Sequence, residues 1–157
     1  MKLTHLDEKG RPRMVDVSAK PETERTARAM GEVGLSRETL ELIASNRVPK
    51  GEVLNTARLA GIQAAKRTSE WVPLCHPLRL TQVDVELTLS PKEGLVRVVS
   101  TVKAVDRTGV EMEALTAAAA ACLTVYDMCK AVDRGMRIEG VRLVRKSGGK
   151  SGEIVLE

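Results

Sequence analysis

The sequence predicts an α+β fold, with helices layered on an antiparallel sheet, and three observations carry that reading. Glu24 to Leu35 alternates small or apolar with polar residues at period two. Gln82 to Val105 holds two alternating or valine-rich runs around a Ser90-Pro91-Lys92-Glu93-Gly94 turn. Val110 to Asp133 is a long alanine-rich stretch with helical character. At 157 residues the chain is expected to form one domain, spanning 1–157, large enough to bury a core.

Each element has a local reason. In the first strand Ala27, Ala29, Gly31, Val33 and Leu35 alternate with Thr26, Arg28, Met30 and Glu32. Ser36 offers a helix N-cap, Leu40, Ile43 and Ala44 repeat at helical spacing to about Arg47, and Val48-Pro49 breaks the helix. A second helix is expected from Gly51 to about Thr68, its small side chains Ala57, Ala60, Gly61, Ala64 and Ala65 allowing another backbone to come close. Pro73 and Pro77 make Trp71 to Leu80 a loop of fixed shape. Then follow the hairpin and the long helix, for which Thr108-Gly109-Val110-Glu111 reads as a capping box and Gly135 as the stop. Strands at Met136 to Val144 and Glu153 to Leu156 flank a basic, glycine-rich tract from Arg145 to Gly152.

Composition removes several classes. The chain carries 25 basic and 21 acidic residues, a net charge of +4, yet its only aromatic side chains are Trp71 and Tyr126, too few for a module that reads bases by stacking. Cys75, Cys122 and Cys129 form no CxxC pair, and the only histidines are His5 and His76, so neither a disulfide framework nor a metal site is written here. Cys122 and Cys129 fit small buried positions on the long helix. No apolar run approaches the ~20 residues of a membrane span, and Met1 to Val15 is polar where a signal peptide is apolar, which predicts a cytoplasmic protein without a membrane partner. A core with almost no rings buries little area per residue and gains from self-association.

Several constellations could carry chemistry. Gly148-Gly149-Lys150-Ser151-Gly152 contains the end of a phosphate-binding loop. However, Val144 stands where the first glycine belongs, and a strand, not a helix, is expected to follow. Lys146 and Lys150 in a Gly/Ser turn can still present charge and backbone N–H groups to a phosphate, or simply face solvent. Lys50 precedes the expected helix at Gly51, so lysine and helix N-terminus together suit an anion. Leu74-Cys75-His76-Pro77-Leu78 holds a histidine in a proline-clamped loop, where it can bind a ligand, exchange a proton, or be satisfied by backbone. On the long helix Asp127 and Lys130 are neighbours on one face, so the carboxylate can hold the ammonium charged and oriented. Glu111 and Glu113 lie at its other end. From Glu113 to Asp127 is roughly 21 Å along an α-helix, so one small molecule cannot easily touch both in one chain.

These motifs occur together and in order with Leu3-Thr4-His5, Met14-Val15-Asp16-Val17-Ser18, Ala60-Gly61-Ile62-Gln63-Ala64-Ala65-Lys66, Thr108-Gly109-Val110-Glu111-Met112-Glu113-Ala114-Leu115 and Tyr126-Asp127-Met128-Cys129-Lys130. Over essentially the whole chain the sequence resembles the cyclic pyranopterin monophosphate synthase family, the second enzyme of molybdenum cofactor biosynthesis. The resemblance implies a ferredoxin-like subunit in a homohexamer, a trimer of dimers, with active sites at subunit interfaces. The implied reaction is rearrangement of a cyclised dihydro-GTP to the pyranopterin cyclic phosphate with release of diphosphate. It needs no redox cofactor, though Mg²⁺ can accompany the diphosphate.

By resemblance Asp127 is the catalytic aspartate, Lys130 its acid/base partner and Lys50 a second catalytic lysine. Leu74, Cys75, His76, Met112 and Glu113 match substrate-contacting segments, and Lys20, Arg25, Lys66, Lys146 and Lys150 match basic positions facing the triphosphate. From a different class, the basic charge alone also suits a non-catalytic nucleotide- or RNA-binding module, whose affinity would fall steeply with salt. An inactive relative serving as an assembly partner is disfavoured, because the acid, base and lysine positions are all filled.

Overall fold

In the computed structural model, which describes residues 4–157, the first alternating run is strand β1 (Thr23–Gly34), with Ala27, Ala29, Gly31 and Val33 buried on one face. Leu3 lies outside the described residues. Ser36 then caps α1 (Arg37–Ala44), its hydroxyl accepting from the Thr39 N–H at 3.2 Å. Helices α2 (Val53–Ala65) and α3 (Thr68–Trp71) precede the proline loop. The hairpin is β2 (Leu80–Ser90) and β3 (Leu95–Asp106), followed by α4 (Glu111–Cys129), β4 (Arg137–Ser147) and β5 (Ile154–Val155).

All neighbouring strands are antiparallel, in the order β2-β3-β1-β4-β5. Hairpin β2–β3 is inserted beside β1, and the helical segments cross over before β2 and before β4. This is the βαββαβ arrangement of a ferredoxin-like fold, with β5 added at one edge. The inward residues Val96, Val98, Ser100, Val102 and Ala104 of β3 continue the buried face of β1, and α4 packs against both strands, β4 and α2.

Small side chains explain how a nearly ring-free chain closes a core. Ala114, Ala117, Ala118, Ala121 and Cys122 on α4 have no exposed surface. Opposite them Gly31 leaves so little room that an added Cβ would come 2.9 Å from the Cys122 Sγ. Against α2, a Cβ on Gly61 would lie 2.9 Å from the Ala117 carbonyl oxygen and 3.2 Å from a Val85 methyl. Dispersion between closely approached backbones thus replaces the area that rings would bury. Ser100, buried beneath the helix, donates its hydroxyl proton to the Ala114 carbonyl at 2.6 Å. Cys122 and Cys129 are buried as expected, and burial pushes their thiols up to about 12 and about 11.

Several expectations require correction. The capping box does not form: Val110 is the N-cap residue without a side-chain cap, and the Glu111 carboxylate turns to Lys146. Helix α4 ends at Cys129, before Asp133, whose carboxylate accepts instead from the Ser36 N–H at 2.8 Å and so ties the helix exit to α1. The second helix begins at Val53, not Gly51, because the Glu52 carboxylate caps the Leu54 and Asn55 N–H groups. That removes the anion site imagined beside Lys50, since those donors are already occupied. Strand β4 runs on to Ser147 and absorbs the start of the basic tract. Finally, α4 does have the length and hydropathy of a membrane span, but 56% of its apolar window is buried within this fold, as for a core helix.

The close helix contact gives a stability test. Gly61→Ala must push α2 away from the Ala117 carbonyl backbone, which cannot rotate aside as a side chain tip can. Overpacking of this kind costs about 1–3 kcal/mol, read as a lower urea midpoint for the variant; an unchanged midpoint would contradict the packing argument.

Candidate active site

Two polar groups are built at opposite ends of α4. At the C-terminal end Asp127 accepts at 2.7 Å on each oxygen, Oδ2 from Lys50 Nζ and Oδ1 from Lys130 Nζ. Lys130 arrives by helical spacing. Lys50 arrives from the α1–α2 connection, where the buried Val48 anchors the chain, the Gly51 N–H closes a turn onto the Val48 carbonyl, and Gly51 takes φ +100°, a conformation glycine adopts freely. All three side chains are open to solvent, so an incoming ligand can reach them. Hydrogen bonds from Lys130 and Lys50 hold the Asp127 carboxyl down to about 2, and the same pairing raises the Lys130 ammonium above its ordinary value. At neutral pH the trio is an anchored carboxylate between two ammonium groups, each able to donate a proton or grip an anion.

At the N-terminal end of α4 is a cleft of about 350 Å³. Leu74, Cys75 and His76 of the proline loop line it, with Glu111, Met112 and Glu113 of the helix and Lys20 of the N-terminal segment. Glu113 is only 4% exposed, and burial, with the Glu111 and Asp106 carboxylates nearby, pushes it up to about 7. It can therefore donate as a neutral acid near neutral pH, the opposite of Asp127. The Cys75 thiol is raised by burial and by Glu113, which argues against a thiolate nucleophile there. His76 Nε2 lies 2.7 Å from the Val15 carbonyl oxygen.

Basic residues gather beside this cleft. Lys146 Nζ meets Glu111 Oε1 at 2.6 Å, and although burial alone would raise Glu111, the lysine together with a backbone N–H and Arg25 outweighs it and the carboxyl is lowered. Arg25 lies against the turn after β4, donating to the Arg107 carbonyl at 3.3 Å, and a Cβ on Gly149 would collide with its guanidinium. Arg25, Lys146, Gly148 and Ser151 share a small hollow of about 30 Å³. Lys66 lines a separate hollow of about 370 Å³ that shares Leu78 with the cleft as a lining residue. Lys150 is exposed on the turn and forms no ion pair among the described residues.

The fold thus unites Lys50 with Asp127 and Lys130, and separately unites Lys20 with the 74–76 and 112–113 segments; it does not bring the two groups together within one chain. Sequence reasoning did not anticipate the Glu111–Lys146 pair or the wall of the cleft supplied by Thr4, His5, Val15 and Val17. Nothing in the local spacing of Glu111 signals a partner that is 35 residues away.

Residues 14–149 match the MoaC family. The chain belongs to the MoaC family. It is 60% identical over 152 residues to a cyclic pyranopterin monophosphate synthase of Parvibaculum lavamentivorans, covering 97% of this chain and 95% of that protein. Enzymes of the same name from Roseiflexus castenholzii and Thermomicrobium roseum are 59% and 58% identical over 155 and 150 residues, covering 99% and 96% of this chain and 98% and 90% of theirs. The family match spans Lys20, Lys50, the cleft residues 74–76 and 111–113, Asp127, Lys130 and Lys146, so both polar groups of this MoaC chain fall inside it.

The raised Glu113 has a thermodynamic consequence. Between its ordinary 4.5 and about 7, the folded protein retains a proton that the unfolded chain has released. The contribution of this group is thus fully present at low pH and is lost as pH rises through the window. Thermal midpoints of wild type and Glu113→Gln, measured from about pH 4.5 to 7.5, should diverge, the wild type falling relative to the variant as pH rises. Parallel curves would contradict a neutral Glu113.

Proposed function

We propose that this MoaC family chain converts (8S)-3′,8-cyclo-7,8-dihydroguanosine 5′-triphosphate to cyclic pyranopterin monophosphate with release of diphosphate, a lyase step early in molybdenum cofactor biosynthesis. The names and near-complete coverage of the relatives support the reaction. The observation that carries the assignment of residues is the Lys50–Asp127–Lys130 trio, two cations from different parts of the chain held on one ionised carboxylate.

The chemistry required is proton transfer and phosphorus substitution. A substrate hydroxyl attacks the α-phosphorus, the α–β phosphoanhydride bond breaks and diphosphate leaves; the hydroxyl proton must be accepted and the charge on the departing diphosphate balanced. Lys50 and Lys130 exchange protons with the substrate while Asp127 keeps them in place, and Glu113 supplies a proton inside the cleft. Lys20, Lys66, Arg25, Lys146 and Lys150 neutralise the triphosphate. Among the described residues no three His, Cys, Asp or Glu side chains cluster closely enough to hold a metal. A Mg²⁺ ion accompanying the diphosphate would take most of its oxygen ligands from the phosphates and water. A nucleotide-derived substrate of this kind fits a cytoplasmic enzyme.

The separation of roughly 21 Å along α4 favours sites composed of the trio of one subunit and the cleft of another, as in a homohexamer built as a trimer of dimers. Mass spectrometry on the cyclised dihydro-GTP should show product from wild type and a rate about 10²–10⁴-fold lower for Asp127→Asn, folded by circular dichroism. No product from folded wild type would favour the nucleotide- or RNA-binding reading instead.

Shared sites predict complementation. Random mixing of inactive Asp127→Asn and Glu113→Ala subunits should regenerate activity, with roughly a quarter of the sites wild-type in both halves. Inactive mixtures would place the whole site in one chain.

A further inference from the structure

The wall of the cleft formed by Thr4, His5, Val15, Val17 and Lys20 belongs to a segment with no helix or named strand, in which no described residue is fully buried. Its hydrogen bonds close on itself. A bridge joins Leu6 to Pro12, the Asp7 carboxylate accepts from the Lys9 and Arg11 N–H groups at 2.9 Å, the Arg13 N–H donates to the His5 carbonyl and the Lys20 N–H to the Val17 carbonyl. Among the described residues one hydrogen bond joins residues 4–20 to the rest of the fold, His76 Nε2 to the Val15 carbonyl at 2.7 Å. A carbonyl oxygen only accepts, so Nε2 must carry the proton.

We propose that His76 is a positioning residue, a pin that holds the 4–20 segment against the cleft so that Lys20 faces the substrate, and that its Nε2 is not the atom that exchanges a proton in the reaction. This rests on the proposed function for its kinetic consequences but not for its structural ones. The pin is single and half-buried, within the rigid proline loop, while Thr4, His5 and Lys20 of the wall it secures are exposed and Val15 and Val17 only half-buried. Releasing one hydrogen bond therefore frees one side of the cleft without disturbing the sheet or α4. Pinned, the segment narrows the cleft and brings the Lys20 ammonium to it; released, it opens a way in for a large triphosphate. Neither state changes the covalent chemistry, so loss of the pin should appear in KM before kcat.

Limited trypsin digestion offers a direct readout, because Lys9 and Arg13 lie within the segment and are not followed by proline, as Arg11 and Lys20 are. His76→Ala should be cleaved there up to about 10-fold faster than wild type and show a KM raised by a similar factor, the change expected for loss of one neutral hydrogen bond. His76→Gln, which keeps an N–H donor but cannot titrate, should recover most of both effects. Should the Ala variant lose protection of the α4 amides, the wild type alone still decides: nitrogen-15 spectra of its two histidines should show one ring protonated at Nε2 with a slowly exchanging proton. The proposal is overturned by a wild-type cleavage rate in folded His76→Ala, by an unprotonated Nε2, or by a kcat that falls in both His76→Ala and His76→Gln while KM is unchanged. Inactive wild type with the expected cleavage pattern would instead sink the proposed function and leave the pin standing.

Discussion

The close approach of α4 to both the sheet and α2 is the constraint on which the remaining structure depends. Glycines at Gly31 and Gly61 face Cys122 and the Ala117 carbonyl at distances that no Cβ tolerates. The helix is consequently fixed in depth and rotation, and its two ends become defined points. Each end then receives one polar group, Glu113 where the helix enters and Asp127 where it leaves. A looser core of larger side chains would allow α4 to slide or turn, and both carboxylates would lose their settings together.

Those settings are opposite, and environment alone separates them. Glu113 has its first helical turn pressed into the fold beside two other carboxylates and is pushed up to about 7; Asp127 stands in solvent between two ammonium groups and is held at about 2. One helix therefore presents a carboxyl that can give up a proton and a carboxylate that remains charged. Pairs of titratable groups driven apart in this way are how acid and electrostatic roles become divided. Here the division follows from burial at one end of a helix and exposure at the other.

The sheet and helices were largely legible in the sequence because period-two and helical spacings are local, and the Ser36 cap, the proline loop and the hairpin all follow from neighbouring residues. What was not legible depends on distance along the chain. Glu111 reads locally as half of a capping box, but a lysine on β4 offers its carboxylate a charged partner that the Thr108 N–H cannot match, so tertiary structure overrides the cap. Lys50 reads locally as a helix-terminal cation and is in fact a partner of Asp127, 77 residues away. Within the site, Asp127 with Lys130 is visible from a spacing of three, and Lys50 and the 74–76 loop are visible as separate candidate ligand contacts; the joining of Lys50 to Asp127 is not visible, and Thr4, His5, Val15 and Val17 read only as family motifs, not as a wall of the cleft.

The glycine tract shows why charge and motif need geometry before they mean anything. Gly148 and Gly149 both take positive φ, and a Cβ on either would strike Glu24 or Arg25. Their smallness serves close contact with β1, and Arg25 lies against the turn. Lys50 and Lys130 meanwhile are engaged by Asp127, yet these pairs are open enough to solvent that a polyphosphate can compete for the same ammonium groups without uncovering a buried charge. A more deeply buried pairing would have aimed the cations as well but left each carboxylate stranded once substrate arrived. Exposure of the ion pairs is therefore part of what lets the lysines be aimed in advance and still be free to bind.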